Sequence, residues 1–268
     1  MKQTEIKENV KKKYSSIALQ VQPSSCCGSA GCCGSGDYTI MSEDYSQLHG
    51  YNVDADFGLG CGLPTCYAGI KQGDTVVDLG SGAGNDCFIA RAETGESGRV
   101  IGVDFSPEMV AKAKENVTGR GYTNIDIRHG DIENMPVEDN SADVVISNCV
   151  LNLLPSKRTI FREIFRVLKP GGHFCISDIV LTGELPPAIT DAVEMYVGCI
   201  AGAIQKNEYL DYINNEGFNE VKIQKEKMII IPDDILINYL DKEAMELFKK
   251  STSPVVSMTI TAQKPAVL

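Results

Sequence analysis

The stretch Val76-Val77-Asp78-Leu79-Gly80-Ser81-Gly82-Ala83-Gly84-Asn85-Asp86 constrains this chain more than any other. An apolar run ends at an acidic residue, and glycines follow at alternate positions. The pattern predicts a buried parallel strand, a tight turn and a helix start. Glycine permits the sharp turn and lets a ligand approach the main chain. A plain Gly-rich turn would use the same letters, so further landmarks have to decide. A dinucleotide fingerprint reads G-x-G-x-x-G/A; here the last glycine comes one residue early, and Asn85 stands where Gly or Ala belongs. No Walker Lys-Ser pair follows.

The landmarks come in order. Gly73-Asp74 opens the first core strand. Strand Arg99–Asp104 ends in a carboxylate about 20 residues past the loop, the spacing for a ribose-binding acid. Ser106-Pro107 starts a helix with an N-cap serine and proline at its first position. A third strand, Ile125–His129, leads into Gly130-Asp131-Ile132, a capped turn or an adenine contact. A fourth, Ala142–Ser147, is followed by Asn148-Cys149, which places Cys149 at the crevice beyond the strand ends. A helix, Lys157–Leu168, precedes Lys169-Pro170-Gly171-Gly172 and another apolar strand. Strand and helix in alternation imply a doubly wound, Rossmann-like α/β sheet.

Around this core the chain carries appendages. Residues 4–21 place Ile6, Val10, Tyr14, Ile17 and Leu19 at helical spacing, an amphipathic lid or brace. Residues 24–36 form a Gly/Ser loop with vicinal pairs Cys26-Cys27 and Cys32-Cys33. These pairs lack the C-x2–4-C spacing of structural zinc, leaving soft-ion capture, a thiol relay or an inert loop. Tyr38–Ala55 reads as loop plus a short helix, and Cys61 stands in the Gly-rich turn Phe57–Pro64. Pro187–Asn214 reads as a helical insertion bearing Cys199 among small residues. Phe218–Lys225 and Pro254–Lys264 alternate as an antiparallel strand pair, with one amphipathic helix, Asp234–Lys250, between them. The expected division is 1–72 (helix, Cys-rich loop and cap), 73–182 (core) and 183–268 (substrate lobe).

The 268 residues suffice for a full core, and 43% of them are hydrophobic. A net charge of −11 argues against nucleic acid or an anionic membrane as partner. No apolar run approaches the roughly 20 residues of a membrane span, and Met1–Tyr14 lacks the apolar core of a signal peptide. A cytoplasmic protein is expected, in which the 10 cysteines serve thiol chemistry or soft-ion binding, not disulfides.

The G-x-G-x-G loop after Asp78 resembles motif I of class I S-adenosylmethionine (SAM) methyltransferases, and Arg-Val-Leu-Lys-Pro-Gly-Gly resembles a later landmark of that class. The stretches GLGCG, DLGSGAGNDCF, SNCVLNL and VGCIAGA resemble arsenite SAM methyltransferases over nearly the whole chain. The resemblance implies a cofactor site at Asp78, Gly80, Ser81, Gly82, Gly84, Asp104, Phe105, Asp131, Ile132 and Asn148. It implies trivalent arsenic on Cys61, Cys149 and Cys199, with a further N-terminal cysteine in disulfide chemistry. The paired cysteines 26/27 and 32/33 stand where the family has a single counterpart. Three thiolates leave arsenic one lone pair, which can attack the sulfonium methyl and release S-adenosylhomocysteine. An external thiol of thioredoxin or glutathione type is the implied reductant. Cys87 and Cys175 read as packing, His129 and His173 as structural, and Cys66 has no assigned place. Two competitors are a SAM methyltransferase of a small organic acceptor and a non-catalytic soft-metal binder.

Overall fold

Strand β1, Thr75–Leu79, lies at the centre of the sheet because its apolar run needs cover on both faces. Val76, Val77 and Leu79 are fully buried. Parallel neighbours flank it: β2, Arg99–Asp104, pairs Ile101 with Val77, and β4, Ala142–Asn148, pairs Val145 with the same residue. With β3 (Ile125–His129), β5 (Leu168–Leu181), β6 (Asn219–Met228) and β7 (Val255–Gln263), the sheet runs β3-β2-β1-β4-β5-β7-β6. Only β7 opposes its neighbours, lying antiparallel to both β5 and β6. The order reverses between β1 and β4, which opens a crevice at their carboxyl ends. This computed structural model describes residues 3–19, 41–192, 199–250 and 254–267. Cys26, Cys27, Cys32 and Cys33 lie outside the described residues.

Helices start where the sequence caps them. The Ser106 hydroxyl accepts the Met109 N–H at 3.3 Å and opens Pro107–Arg120, which Gly121 ends in the left-handed conformation. Ser156 caps Lys157–Val167, whose Ile160, Phe161, Ile164 and Val167 form one buried stripe. Phe174 of β5 meets Phe161 from this helix and Phe218 at centroid distances of 5.9 and 4.9 Å. The N-terminal helix Gln3–Leu19 buries Val10 and Ile17, and its Ser15 hydroxyl donates to Glu108 of the neighbouring helix at 2.5 Å.

The segment expected as one helix, Asp234–Lys250, is two: Asp233–Leu236 and Lys242–Lys250. Leu240 turns inward to the core, and the Asp241 carboxylate accepts the Ala244 N–H at 2.8 Å as a fresh N-cap. Of the expected insertion, the described residues show helices Pro187–Thr190 and Lys206–Asn215, with Cys199 in a turn before the second. Lys157–Leu168 stops one residue early because Leu168 already pairs with Ala142 in the sheet. Among the described residues no helix is long and apolar enough to cross a membrane.

Phe174→Ala should lower the unfolding free energy by about 3–5 kcal/mol in urea denaturation, as for other large aromatic truncations in a core. A loss under about 1 kcal/mol would show that the aromatic cluster is not the keystone of this face.

Candidate active site

The crevice is a cavity of about 970 Å³, its open mouth included, bounded by the glycine loop, the ends of β1, β2 and β4, and the segment before β1. Gly80 has φ +65°, and a Cβ there would fall 2.6 Å from the Val150 methyls, so only glycine fits. Backbone N–H groups of Gly80 and Ser81 bond to the Val103 carbonyl at 2.8 and 3.1 Å, tying the loop to β2. The Asp104 carboxylate accepts the Gly82 N–H at 2.9 Å and the Ser106 N–H at 2.8 Å. Burial pushes this carboxyl up, against those hydrogen bonds. Asp78, Gly80, Ser81, Gly82, Asp104, Phe105, Asp131, Ile132 and Asn148 all line the cavity. Gly84 is set back as the N-cap of helix Asn85–Thr94, next to Phe88. Lys7 of the N-terminal helix pairs with Asp131 at 2.6 Å and with Glu133, while Tyr14 of the same helix lines the cavity.

Cys61, Cys149 and Cys199 are brought together from three distant segments and are no more than 2% exposed. They share an apolar nest with Leu153, Ile179 and Ile189. The Cys149 thiol sits against those of Cys199 and Cys61, and the Cys199 thiol donates to the Cys149 carbonyl at 2.9 Å. Contact with Cys199, then Cys61, then burial pushes the Cys149 thiol well above its usual range; burial raises Cys61. They form a packed cluster and not a preformed cage; among the described residues no His, Cys, Asp or Glu group is already set to hold a metal ion. Cys149 and Cys199 have φ of +59° and +65°, two of the four described non-glycine residues with positive φ. Such backbone costs about 1–3 kcal/mol and persists where surroundings enforce it.

The glycines beside Cys61 have a steric cause. A Cβ at Gly60 would fall 2.6 Å from the Asn148 amide nitrogen, and one at Gly62 2.6 Å from the Ser177 hydroxyl. Asn148 fixes this turn to β4: its Oδ1 accepts the Cys61 N–H at 3.0 Å and its Nδ2 donates to the Gly62 carbonyl at 2.8 Å. Ser257 of β7 donates to the Cys61 carbonyl at 2.6 Å. The other described cysteines stand apart. Cys175 is buried in β5, Cys87 is buried and donates to Asp78 at 3.2 Å, and Cys66 is exposed. His173 bonds the Ala68 carbonyl at 2.5 Å and His129 that of Phe105 at 3.0 Å, both structural contacts.

A family described as a methyltransferase domain matches residues 70–217. The arsenite methyltransferase of Halobacterium salinarum is 40% identical, over 98% of this chain and 67% of that protein. That of Aquipseudomonas alcaligenes is 32% identical, over 87% of this chain and 68% of that protein. The chain belongs to the arsenite methyltransferase family. An arsenic(III) S-adenosylmethionine methyltransferase from Chlamydomonas reinhardtii superposes with a TM-score of 0.62 at 32% identity, covering 77% of this chain and 67% of that one.

This methyltransferase has site residues that the sequence reading did not single out. Tyr45 lines the cavity and donates to the Gly62 carbonyl at 2.9 Å and to Asp86 at 3.2 Å. Behind the thiols, fully buried Asp178 accepts from Asn152 at 2.9 Å and Tyr209 at 3.4 Å, with the buried Lys157 ammonium as its counter-charge. Burial pushes Asp178 up to about 7 despite that lysine. Only Asn152, inside SNCVLNL, offered a sequence cue; the remaining partners come together through the fold.

Gly62→Ala should displace the Cys61 turn, because Ser177 and Thr259 lie on rigid strands. Overpacking of this kind costs about 1–3 kcal/mol. The Cys61 thiol should then react faster with a thiol reagent, counted by mass spectrometry of the folded protein. Unchanged reactivity would mean the turn absorbs the methyl group without moving Cys61.

Proposed function

We propose that this chain transfers methyl groups from SAM to trivalent arsenic held by Cys61, Cys149 and Cys199. One observation carries the reading: Cys149, clustered with buried Cys61 and Cys199, lines a cavity that the glycine loop also lines. Its orphaned polar atoms, Ser81 Oγ and Asp86 Oδ1, are partners for a polar, cationic ligand. Asp104 would take the ribose hydroxyls, and Asp131 with Ile132 the adenine. SAM supplies an electrophilic methyl group on a sulfonium.

The soft thiol set suits arsenic. Arsenous acid exchanges its hydroxyls for the sulfurs of Cys61, Cys149 and Cys199; each thiol proton leaves with a hydroxyl as water, so no base is required. Neutral thiols are the correct reactants for that exchange, and the cluster holds Cys61 and Cys149 protonated. The chain's main contribution is placement, which in well-oriented intramolecular reactions is worth up to about 7–11 kcal/mol. Methyl transfer takes arsenic formally from As(III) to As(V). Two electrons from a thiol pair return it to As(III), closing one disulfide, and an external thioredoxin- or glutathione-type thiol reopens it. The cysteines at 26, 27, 32 and 33 are the reserve assigned to this step.

Cys149→Ser and Cys199→Ser should abolish methylation of every arsenic substrate, because serine is close in size but a hard donor. Cys61→Ser should impair inorganic arsenite more than a methylated arsenical, which needs one thiolate fewer. Speciation of arsenic products after incubation with SAM and a thiol reads this out. A normal rate from Cys149→Ser would replace the thiol site with an organic-acceptor reading.

Asp104→Ala should weaken calorimetric SAM affinity by about 1–3 kcal/mol, the range for a hydrogen bond to a charged group. Unchanged affinity would remove Asp104 from the cofactor site.

A further inference from the structure

We infer that Asp86 is a second carboxylate, beside Asp78, that receives the α-ammonium group of the methyl donor. The inference rests on the reading that this cavity takes SAM. Asp86 lies in the first turn of helix Asn85–Thr94 and lines the same cavity as Asp78, Tyr45 and Asn148. Its Oδ2 accepts the Tyr45 hydroxyl at 3.2 Å and the Asn148 amide at 3.3 Å. Its Oδ1 is shut off from solvent and has no hydrogen-bond partner among the described residues. Asp78, 2% exposed at the end of β1, receives only the weak Cys87 thiol donor at 3.2 Å among the described residues.

Among the described residues these two carboxylates form no ion pair. The groups acting on them are Asp56, Asp104, Tyr45, Asn148 and the Cys87 thiol, all acidic or neutral. Buried charges are ordinarily paired, because desolvating an isolated carboxylate is expensive. Burial first, and the neighbouring carboxylates next, push Asp78 well up and Asp86 to about 6. An arriving cation reverses that balance. A sulfonium has no N–H to give, so the donor that matches the orphaned Oδ1 is an ammonium with its several protons. The amino-acid end of SAM carries one. The Asn148 amide that holds Asp86 also holds the Cys61 turn, so this end of the donor would bind next to the thiol cluster.

The test is calorimetry on the full chain without arsenic, using S-adenosylhomocysteine and 5′-methylthioadenosine. Both carry the adenosyl thioether, but only the first has the ammonium. Asp86→Asn keeps the shape and removes the charge. It should weaken S-adenosylhomocysteine roughly ten- to hundredfold and leave methylthioadenosine within about twofold, as for loss of one charge-assisted hydrogen bond. Wild-type affinity for S-adenosylhomocysteine should rise with pH through about 6, with proton release on binding near that pH, because ionised Asp86 attracts the cation and its neutral form does not. Methylthioadenosine should show neither effect. Equal weakening of both ligands, or no weakening of either, overturns the assignment. If Asp86→Asn does not fold, the wild-type proton count decides, and equal counts for the two ligands overturn it. Failure of both ligands to bind wild type would sink the SAM reading itself, a result distinct from failure of Asp86 alone.

Discussion

The site depends on the side chain of Asn148 at the carboxyl end of β4. One amide accepts the Cys61 N–H, donates to the Gly62 carbonyl and reaches Tyr45 and Asp86. The segment before β1 has no strand of its own at this point, so its backbone groups need partners from elsewhere. Asn148 supplies them from a rigid strand. The glycines on either side of Cys61 then follow from contact, since a Cβ at either position would strike Asn148 or Ser177. Sequence and packing thus converge on Gly-Cys-Gly, with the thiol as the only side chain the turn presents.

The next residue after this amide leaves the strand abruptly. Cys149 takes a left-handed backbone, and so does Cys199 in the insertion that covers it. Neither is glycine, although glycine would relieve the strain. The cost of about 1–3 kcal/mol at each position is offset by the apolar nest of Leu153, Ile179 and Ile189. Under that nest, Asp178, Lys157, Asn152 and Tyr209 form a satisfied polar floor, apart from the unpartnered Asn152 Oδ1. A fully buried floor of this kind keeps its geometry, because moving one member strands the others. The thiols therefore stand between two rigid layers, which suits a reaction governed by placement.

Much of this was legible in the sequence because it is periodic or local. The apolar runs at 76–79 and 142–147, alternating with helices, implied a parallel sheet, and the ends of those strands located the crevice. Ser106 announced its helix, whereas the Ser156 cap came to light only in the fold. The loop Gly80–Gly84 was readable, although Gly84 serves as an N-cap and not as a cavity wall. The break between Leu236 and Lys242 was not readable, because the segment keeps helical spacing while Leu240 is drawn into the core and Asp241 caps anew. Asp86 drew no role from the sequence. Its meaning comes from Tyr45, 41 positions earlier, and Asn148, 62 positions later. No local pattern links such positions; only the closed sheet does.

The protonation state of the thiols carries one further consequence of the proposed reaction. A thiolate is a strong nucleophile, and a free thiolate facing a sulfonium methyl would itself be methylated. Contact with the neighbouring thiols and burial push the Cys149 thiol toward the protonated form, and burial does the same for Cys61, so their nucleophilicity is low. Arsenous acid removes that protection only at the moment it is bound, because each sulfur gives up its proton in forming an arsenic bond. The nucleophilic lone pair then resides on arsenic and not on sulfur. A cluster with depressed thiol pKa values would bind arsenic as well, yet would expose the chain to methylation of its own cysteines whenever the donor arrived first. The raised thiol pKa values in this fold are thus consistent with either order of arrival of the two substrates.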